Sequence, residues 1–412
     1  MFTIGVIGMD LIPPLNEGIK NTVYEIYKRI IKRGAEVLLI TKYIFNDRNQ
    51  IGKDIKLLEQ EGLKIFFIPV KQGTANTHIT GAHSFIVRLP VYLKRICKHE
   101  RIEIFHIHTS FATINSFIAF QLKSFFRFKN PRVVISQYSS SFNPYVFGTF
   151  DLKSLLVPML MNSTTLKYAP ADLVITFSKK SCYIHKQYSA NRVIWFPHIA
   201  IDTEKFKPDN KLRRDIRSEL SIDDETIVLL YAGDLTPSRG LDLFIGVVKH
   251  LVRFYPVKGL IPLKDRNVKT LRYNHIISLL KKSEINKYFD ILGYRKDING
   301  IINSSDIVIM PLRNNYGFMD IPRFLLEAMS CNKPVITTSV GAIADVIHNW
   351  INGVICKPDD LKSLILATKT LIDNPSLRCT LGKNARKTIL EIFEAEKVSD
   401  RLFKIYINLI EK

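Results

Sequence analysis

Short apolar segments alternate with longer amphipathic segments along almost the whole chain of 412 residues. Residues 4–7 and 36–41 are apolar over the length of a strand, and residues 18–34 between them carry apolar side chains at helical spacing. A strand, a helix and a second strand in this order need a crossover connection, which makes the two strands parallel. The alternation therefore predicts an α/β fold built on doubly wound parallel sheets.

A polar stretch at residues 198–210, which contains Pro208, interrupts this alternation, and the same alternation starts again after it. We therefore predict a Rossmann-like domain over residues 1–198 and a second one over residues 199–390. A last helix over about residues 391–412 can pack back on the first domain. Doubly wound domains bind ligands at the carboxyl ends of their strands, so we expect the ligand in a cleft between the two domains.

The cysteines and the apolar runs limit the class of protein. The five cysteines lie far apart, which argues against a disulfide framework and against metal-ligand spacing. We therefore expect a reducing compartment. The first eight residues lack a basic segment and a cleavage site, so they indicate a strand rather than a signal peptide. No apolar run approaches the roughly twenty residues that span a bilayer, and we predict a cytoplasmic protein.

The positive charge of the chain is concentrated in its first half. The formal net charge is +21, and residues 1–200 hold 26 lysines and arginines against 12 acidic residues. An anionic substrate, an anionic membrane surface or nucleic acid would each suit such a charge. The sequence contains no recognised nucleic-acid-binding module, so we expect no nucleic-acid partner.

Two basic segments of the first half also carry apolar side chains. Residues 85–101 form an amphipathic basic stretch, and residues 125–129 read Phe-Phe-Arg-Phe-Lys. Such surfaces dock on anionic lipid without spanning the bilayer, which would place the protein on the cytoplasmic face of the membrane. The alternative is that both helices bury their apolar faces in the domain and leave only solvated cations outside.

One segment of the second half combines a loop, a helix start and an acid. The loop from Asn314 contains Gly317 and runs into Pro322, and a short apolar helix then carries Glu327. Backbone N–H groups at a helix start can hold phosphate, and a carboxylate one or two turns later can accept hydrogen bonds from hydroxyls. The segment therefore predicts a site for a phosphorylated sugar.

Several segments together resemble the family 4 glycosyltransferases. These are S-D-I-V-I-M-P at residues 305–311, P-R-F-L-L-E-A-M-S at 322–330, K-P-V-I-T-T at 333–338 and S-V-G-A-I-A-D at 339–345. The resemblance covers nearly the whole chain and is strongest over residues 290–360. It implies the GT-B fold, in which two Rossmann-like domains face a cleft. It also implies a retaining, metal-independent transfer of sugar from a nucleoside-diphosphate sugar to a lipid-linked or glycan acceptor, with no separate cofactor.

The resemblance assigns roles to residues on the donor side. Glu327 matches the glutamate associated with the ribose hydroxyls, and Arg239 matches a lysine that neutralises the diphosphate. The chain departs from the family pattern at Asp234, where the family has an arginine. Backbone contacts to the donor are expected at Gly18, Gly317, Phe318 and Ile321.

The resemblance also indicates which residues lie near the reacting sugar. Met319 stands where the family has its first glutamate, and the adjacent Asp320 is either a replacement carboxylate or only a cap of the following helix. His108 ends a strand similar to the V-H-x-H strand of the family. Tyr138, or Gln137 before it, stands where the family has a histidine. Asp320, Tyr138 and His108 are thus the catalytic candidates, and no residue is assigned to a metal.

These departures leave two alternatives open. The chain could be a non-catalytic paralogue that binds a sugar nucleotide or partners an active transferase, which Met319, Asp234 and Tyr138 favour. It could also be a sugar-nucleotide epimerase on the same fold, although the L-E-A-M segment favours the transferase.

Overall fold

The structure is a computed structural model that divides into two compact units. Unit 1 comprises Met1–Ala200, Phe318–Asp320 and Ala395–Lys412, and unit 2 comprises Ile201–Gly317 and Ile321–Glu394. The structure describes residues 2–8, 11, 18–44, 55, 56, 58–70, 82–109, 112–126, 131–138, 170–188, 192–263, 278, 280, 285–314 and 319–411.

Unit 1 is built on a seven-stranded parallel sheet with the strand order β3-β2-β1-β4-β5-β6-β7. The strands are β1 (Thr3–Ile7), β2 (Glu36–Ile44), β3 (Lys64–Val70), β4 (Ile104–Thr109), β5 (Arg132–Gln137), β6 (Leu173–Thr176) and β7 (Arg192–Trp195). The helices between them include α1 (Gly18–Ile31), α2 (Ala82–Ile96), α3 (Ala112–Phe125) and α4 (Lys179–Tyr188).

Unit 2 repeats this design with six parallel strands in the order β10-β9-β8-β11-β12-β13. The strands are β8 (Ile227–Tyr231), β9 (Val257–Leu263), β10 (Phe289–Tyr294), β11 (Ile307–Met310), β12 (Val335–Thr338) and β13 (Val354–Cys356). The helices include α5 (Asn210–Glu219), α6 (Leu241–Leu251), α7 (Ile298–Ser304), α8 (Arg323–Ser330), α9 (Leu361–Asp373) and α10 (Pro375–Thr388). The predicted α/β class with two doubly wound parallel sheets is confirmed.

The last helix, α11 (Ala395–Ile410), belongs to unit 1. Its buried residues Leu402 and Tyr406 pack in the same core cluster as Val23 and Ile26 of α1. The two helices are also joined at the surface, where Glu396 accepts hydrogen bonds from Arg29 and Arg33. The chain therefore returns to its first unit after completing the second.

Alternation along β4 decides what lies on each face of the first sheet. Phe105 and Ile107 face one core cluster, and Ile104 faces the other. Because side chains of a strand point alternately to opposite faces, His106 and His108 share the face of Ile104, which α1 and α11 cover. Two polar side chains are thereby placed in the interior of unit 1.

Most predicted elements lie within three residues of their observed ends. Helix α1 is a clear case, because Gly34 has φ +93°, the left-handed conformation that closes a helix. Helix α5 was not predicted, since residues 198–210 were interpreted as a linker and the polar sequence after them hides the amphipathic pattern. Asp209 caps α5 by accepting from the N–H groups of Lys211 and Leu212. The sequence also predicts a helix over residues 271–282, a range of which the structure describes only residues 278 and 280.

Candidate active site

The acid predicted to bind a ribose lies on α8 and has a buried partner. Arg323 Nε donates to Glu327 Oε1 at 2.8 Å, and the residues are 7% and 9% exposed. Residues four apart stack on one helix face, so the sequence P-R-F-L-L-E itself places the guanidinium against the carboxylate. Arg323 was not predicted as a site residue, and this spacing is the feature that could have revealed it. The pair fixes the orientation of the Glu327 carboxylate.

The start of α8 is suited to an anion. Pro322 occupies the N-cap with φ −65° and ψ 127°, and its side chain has no oxygen with which to cap the first turn. First-turn N–H groups point out of the helix and carry the positive end of its dipole. Ile321, just before, has a fully buried side chain, so a donor contact from it would have to come from its backbone. Gly317 and Phe318 lie outside the described residues.

The predicted diphosphate cation, Arg239, lies in a short 3-10 turn after β8. Its side chain is mostly buried, and this burial lowers the pKa of the guanidinium. Arg239 Nε lies 3.5 Å from Asp234 Oδ2, and the other Asp234 oxygen accepts from the N–H of Thr236 at 2.8 Å. Asp234, which stands where an arginine was expected, therefore orders this loop and offsets part of the charge of Arg239.

The glycine after Arg239 explains why the loop has this shape. Gly240 has φ +67°, and a Cβ there would lie 2.1 Å from the carbonyl oxygen of Pro311. Only glycine tolerates both the left-handed backbone and the close approach. The contact fixes the turn that carries Arg239 against the end of β11.

The three predicted catalytic candidates form one connected group in unit 1. His108 Nδ1 lies 2.6 Å from the hydroxyl of Tyr138, and the N–H of Asp320 donates to the carbonyl of Tyr138 at 2.8 Å. All three residues are buried, with Asp320 only 2% exposed. The structure therefore brings these residues together, and it places the Tyr138 hydroxyl against His108.

Comparison with known proteins shows which class of enzyme the chain is similar to. The family Glycosyl transferases group 1 matches residues 213–388, the part of unit 2 that holds Arg239, Arg323 and Glu327. One human relative, named as part of the phosphatidylinositol N-acetylglucosaminyltransferase, is 24% identical over 405 residues, which is 96% of this chain and 74% of the human protein. The chain is a glycosyltransferase that resembles group 1 over residues 213–388. The predicted resemblance and the transferase class are thereby confirmed.

Further relatives of this glycosyltransferase support the assignment. An Escherichia coli protein named UDP-Gal:alpha-D-GlcNAc-diphosphoundecaprenol alpha-1,3-galactosyltransferase is 23% identical and covers 78% of this chain and 79% of its own. Among solved structures, sucrose-phosphate synthase from Thermosynechococcus elongatus has a TM-score of 0.79 at 16% identity, with full coverage of both chains. Anabaena HepE, solved with UDP, has a TM-score of 0.73 at 17% identity, covering 99% of this chain and 100% of its own. These structures confirm the GT-B fold.

Gly18, the predicted backbone contact in the first domain of the glycosyltransferase, is the first residue of α1. It is partly exposed, and its neighbours on the amino-terminal side lie outside the described residues. The structure thus places Gly18 at a helix start, where its backbone can approach a ligand. Its role stays a prediction.

The glycosyltransferase also contains a buried polar cluster that was not predicted. His106, His108 and His198 lie together, with their ring nitrogens within 4.8 Å of one another. Burial lowers the pKa of His106 and His108 well below the usual value and lowers that of His198 to about 4. The three imidazoles are therefore neutral near pH 7. The H-x-H pattern of β4 could have indicated part of this cluster, because it places both histidines on one face.

Tyrosine and serine hydroxyls bridge the ring nitrogens of these imidazoles. The hydroxyl of Tyr27 lies 2.9 Å from His106 Nδ1 and 2.8 Å from His108 Nε2. The Oγ of Ser136 lies 2.6 Å from His106 Nε2 and 2.8 Å from His198 Nε2. Each of these ring nitrogens thus has a hydrogen-bond partner from the protein itself.

The sequence contains no apolar run of the length that spans a bilayer. Within the described part of the chain, no helix has both the length and the apolar character to cross a bilayer.

Proposed function

We propose that this glycosyltransferase moves a sugar, with retention of configuration, from a nucleoside-diphosphate sugar to a lipid-linked acceptor. The observation that carries the proposal is the buried Arg323–Glu327 pair, with its 2.8 Å hydrogen bond, at the start of α8. A carboxylate held in this way can accept hydrogen bonds from both ribose hydroxyls without a change of rotamer. The Glu327 carboxylate offers hydrogen-bond acceptors in a fixed orientation for the hydroxyls of a ribose. A nucleotide sugar contains that ribose, and a free sugar phosphate does not, so the pair favours a nucleotide sugar.

Charge stabilisation of the leaving diphosphate supplies the catalytic effect in this proposal. Arg239 provides a guanidinium that can donate two parallel hydrogen bonds to phosphate oxygens. The first-turn N–H groups of α8 provide a second positive region. Donors that are fixed before the reaction stabilise developing charge with little reorganisation. The proposed reaction therefore needs neither a metal ion nor a separate cofactor, and the donor supplies the transferred group.

The names of the relatives favour a lipid-linked acceptor over a soluble glycan. The human relative is named for phosphatidylinositol, and the Escherichia coli relative is named for a diphosphoundecaprenol acceptor. A Campylobacter jejuni relative, 24% identical over 63% of this chain and 66% of its own, is also named for a diphospho-undecaprenol substrate. We extend this acceptor class to the present chain.

An exposed apolar surface on unit 1 favours docking on the anionic face of the cytoplasmic membrane. On α2, Val87 and Val91 are 59% and 58% exposed, and on α3 Phe117 and Phe120 are 50% and 55% exposed. The two helices are adjacent, because Gln121 Nε2 donates to the carbonyl of Ile86. This surface of four apolar residues is hereafter called the α2–α3 surface.

Cations accompany the α2–α3 surface and point to anionic lipid. The last turn of α2 and the turn after it expose Lys94, Arg95 and Lys98. Apolar side chains that enter the interface, together with adjacent cations, are the usual means by which a protein binds anionic lipid without spanning it. Liposome flotation tests this. We expect Val87→Asp with Phe120→Asp to abolish flotation with anionic vesicles, whereas equal absence of wild type from anionic and neutral vesicles would contradict docking.

A non-catalytic sugar-nucleotide-binding protein is the second candidate. The ion pair between Asp234 and Arg239 favours it, because it weakens one of the expected diphosphate cations. Met319 in place of the first family glutamate favours it as well.

A donor panel separates the two candidates. Purified protein is incubated with nucleoside-diphosphate sugars and polyprenyl-diphosphate-linked or phosphatidylinositol acceptors, and product and donor hydrolysis are measured. Glu327→Gln is the test variant, and Glu225→Gln, which alters an exposed carboxylate of the same unit, is the control. Turnover that Glu327→Gln removes and Glu225→Gln retains supports the transferase. Nucleotide binding by calorimetry without turnover supports the second candidate, and neither binding nor turnover contradicts both.

A further inference from the structure

The buried polar cluster of unit 1 is a continuous chain of hydrogen bonds. It runs from Tyr138 through His108, Tyr27, Tyr406, His106, Ser136 and His198 to the carbonyl oxygen of Phe196. The successive heavy-atom distances are 2.6, 2.8, 2.8, 2.5, 2.6, 2.8 and 2.9 Å. All seven side chains are buried. We call this set the relay.

The number of protons fits the number of bonds. Each tyrosine, each neutral histidine and the serine supplies one hydrogen, so seven side chains supply seven hydrogens for the seven successive bonds. An eighth contact, 2.9 Å between the Tyr27 hydroxyl and His106 Nδ1, shares the acceptor that Tyr406 also approaches. Burial lowers the pKa of each histidine and raises that of each tyrosine, and the neutral forms are therefore the ones present. A chain of this kind is fully satisfied only when all its bonds run in one direction.

The carbonyl of Phe196 sets that direction, because a carbonyl can only accept. His198 must therefore carry its proton on Nδ1, and its Nε2 accepts from Ser136. Since the hydroxyl hydrogen of Ser136 is then in use, Ser136 Oγ accepts from Nε2–H of His106. The Nδ1 of His106 is left as an acceptor. The hydroxyl of Tyr406 is its nearer donor at 2.5 Å, and the hydroxyl of Tyr27 lies 2.9 Å from the same nitrogen.

The same logic continues to the other end. Tyr406 has given its hydrogen to His106, so the 2.8 Å contact between the two hydroxyls requires Tyr27 to donate to Tyr406. Tyr27 then accepts from Nε2–H of His108, and His108 Nδ1 accepts from Tyr138. Reversing the bond between Tyr27 and His108 would leave the two tyrosine oxygens 2.8 Å apart without a hydrogen between them.

The Tyr138 end of the relay reaches the backbone of Asp320. The hydroxyl of Tyr138 is used inside the unit, whereas its carbonyl accepts from the N–H of Asp320 at 2.8 Å. The hydrogen bond to His108 holds the Tyr138 side chain, and the Tyr138 carbonyl holds the backbone N–H of Asp320. The fourth side chain of the relay, Tyr406 of α11, lies almost 270 residues from Tyr138 along the sequence.

We propose that the relay is a one-directional hydrogen-bond chain whose members are positioning residues for Asp320. In this role Tyr138 and His108 do not exchange protons with substrate, and they hold the backbone that presents Asp320. The inference rests on the proposed function, with Asp320 as one of its catalytic candidates. It also gives α11 a part in this positioning, because the hydroxyl of Tyr406 lies within hydrogen-bond distance of both Tyr27 and His106.

The direction of the relay can be tested without any activity. Long-range nitrogen–proton NMR spectra of the full-length protein with 15N-labelled histidine report the protonated nitrogen of each ring. The expected forms at pH 7 are Nδ1–H for His198 and Nε2–H for both His106 and His108, assigned with single His→Asn variants. The opposite tautomer at any of the three, or a charged imidazolium, would overturn the one-directional chain.

The positioning role is tested by Tyr406→Phe, which removes one hydroxyl and keeps the ring. Tyr92→Phe, a half-buried tyrosine on α2 outside the relay, is the matched control. We expect Tyr406→Phe to lower kcat about tenfold, the size of one buried hydrogen bond, with donor Kd changed less than twofold. Amide exchange at Asp320 should become faster in Tyr406→Phe and stay unchanged in Tyr92→Phe.

The amide-exchange measurement keeps this inference separate from the proposed function. If the wild-type protein shows no transfer, faster exchange at Asp320 still supports the relay, and unchanged exchange overturns it. If transfer is present, unchanged kcat and unchanged exchange in Tyr406→Phe overturn the positioning role. Ser136→Ala, which breaks the chain of bonds nearer to His198, serves as the second variant if Tyr406→Phe does not fold, and the same outcomes apply to it.

Discussion

The two units differ in where they place polar groups relative to the central strands of their sheets. Unit 1 buries neutral groups within the strands themselves, where His106, His108 and Ser136 form part of the relay. The equivalent central strand of unit 2, β11, is wholly apolar. Two charged pairs of unit 2 lie after strands, in the Arg239 loop and on α8, and the Arg217–Asp306 pair lies just before β11.

Physical chemistry explains the contrast. Neutral donors and acceptors can be satisfied completely in the interior, one hydrogen for each bond. Charged groups are costly to bury and stay near a loop or a helix start, where a ligand can complete their environment. The contrast teaches that a cluster of histidines is not by itself a catalytic centre. In the proposed function the histidine cluster positions backbone, whereas the charged pairs of the Arg239 loop and α8 contact the donor.

The largest expected effect concerns the buried pair on α8. Arg323→Met leaves the Glu327 carboxylate buried without its guanidinium, and removing one partner of a buried pair costs about 3–5 kcal/mol. The free energy of unfolding by urea measures this loss. The double variant Arg323→Met with Glu327→Leu should regain most of the stability but no transferase activity. If the single variant is as stable as wild type, the pair is solvated and the comparison between the units fails.

Acid should destabilise unit 1 more than unit 2. The unfolded chain protonates His198 near its usual pKa of about 6.5, whereas the folded protein protonates it only at about 4. The unfolded state therefore binds more protons between these values, and the free energy of unfolding falls as the pH is lowered from about 6.5 to about 4. For His198 alone the loss is about 3 kcal/mol.

His106 and His108 act in the same direction as His198, because burial lowers their pKa values too. Hydrogen exchange at pH 7 and pH 5, compared between β5 of unit 1 and β12 of unit 2, distinguishes the two units. The His198→Asn variant should flatten the pH dependence, and Asn can still donate to the carbonyl of Phe196. Equal acid sensitivity of both strands would contradict the prediction.

The sequence predicted the fold well because both sheets are built from apolar strands whose alternation with helices is visible residue by residue. Four-residue spacing, which is also a local property, puts Arg323 and Glu327 on one helix face. The relay could be predicted only in part. The H-x-H spacing of β4 puts two histidines on one face, but Tyr406 reaches them only through the packing of α11 against α1. No local pattern of the sequence contains that contact.

The departures from the family pattern show the same limit. The sequence shows that Asp234 stands where the family has an arginine, but the contacts of Asp234 with Thr236 and Arg239 depend on a turn that the sequence alone does not define. The site of Asp320 likewise depends on a hydrogen bond to Tyr138, which lies far away in the chain. The sequence therefore showed where the chain departs from the family pattern, but it did not show which residues these side chains and backbone groups contact in the fold.

Removing the Arg239 charge should weaken donor binding. The expected change in the free energy of binding is smaller than the loss of unfolding free energy expected for Arg323→Met. A charge-assisted hydrogen bond to phosphate contributes about 1.5–3 kcal/mol, so Arg239→Gln should raise the Kd of the nucleotide by about tenfold to a hundredfold. Isothermal calorimetry with nucleoside diphosphate measures the change. Arg253→Gln, an exposed cation of the same unit, is the control. An unchanged Kd in Arg239→Gln would remove Arg239 from the donor site.

The smallest effect is expected at Asp234, and it decides how the charged loop of unit 2 is used. Asp234→Asn removes the negative charge next to Arg239 but keeps an oxygen that can accept from the N–H of Thr236. Because the pair is partly exposed, its electrostatic effect is about 0.5 kcal/mol, and the Kd of a nucleoside diphosphate should fall about twofold. Added salt should narrow the difference between the variant and wild type. If Asp234→Asn instead weakens binding, the main effect of the Asp234 carboxylate is to order the loop and not to offset the charge of Arg239. The binding of a diphosphate by unit 2 would then depend on the shape of this loop as well as on its charge.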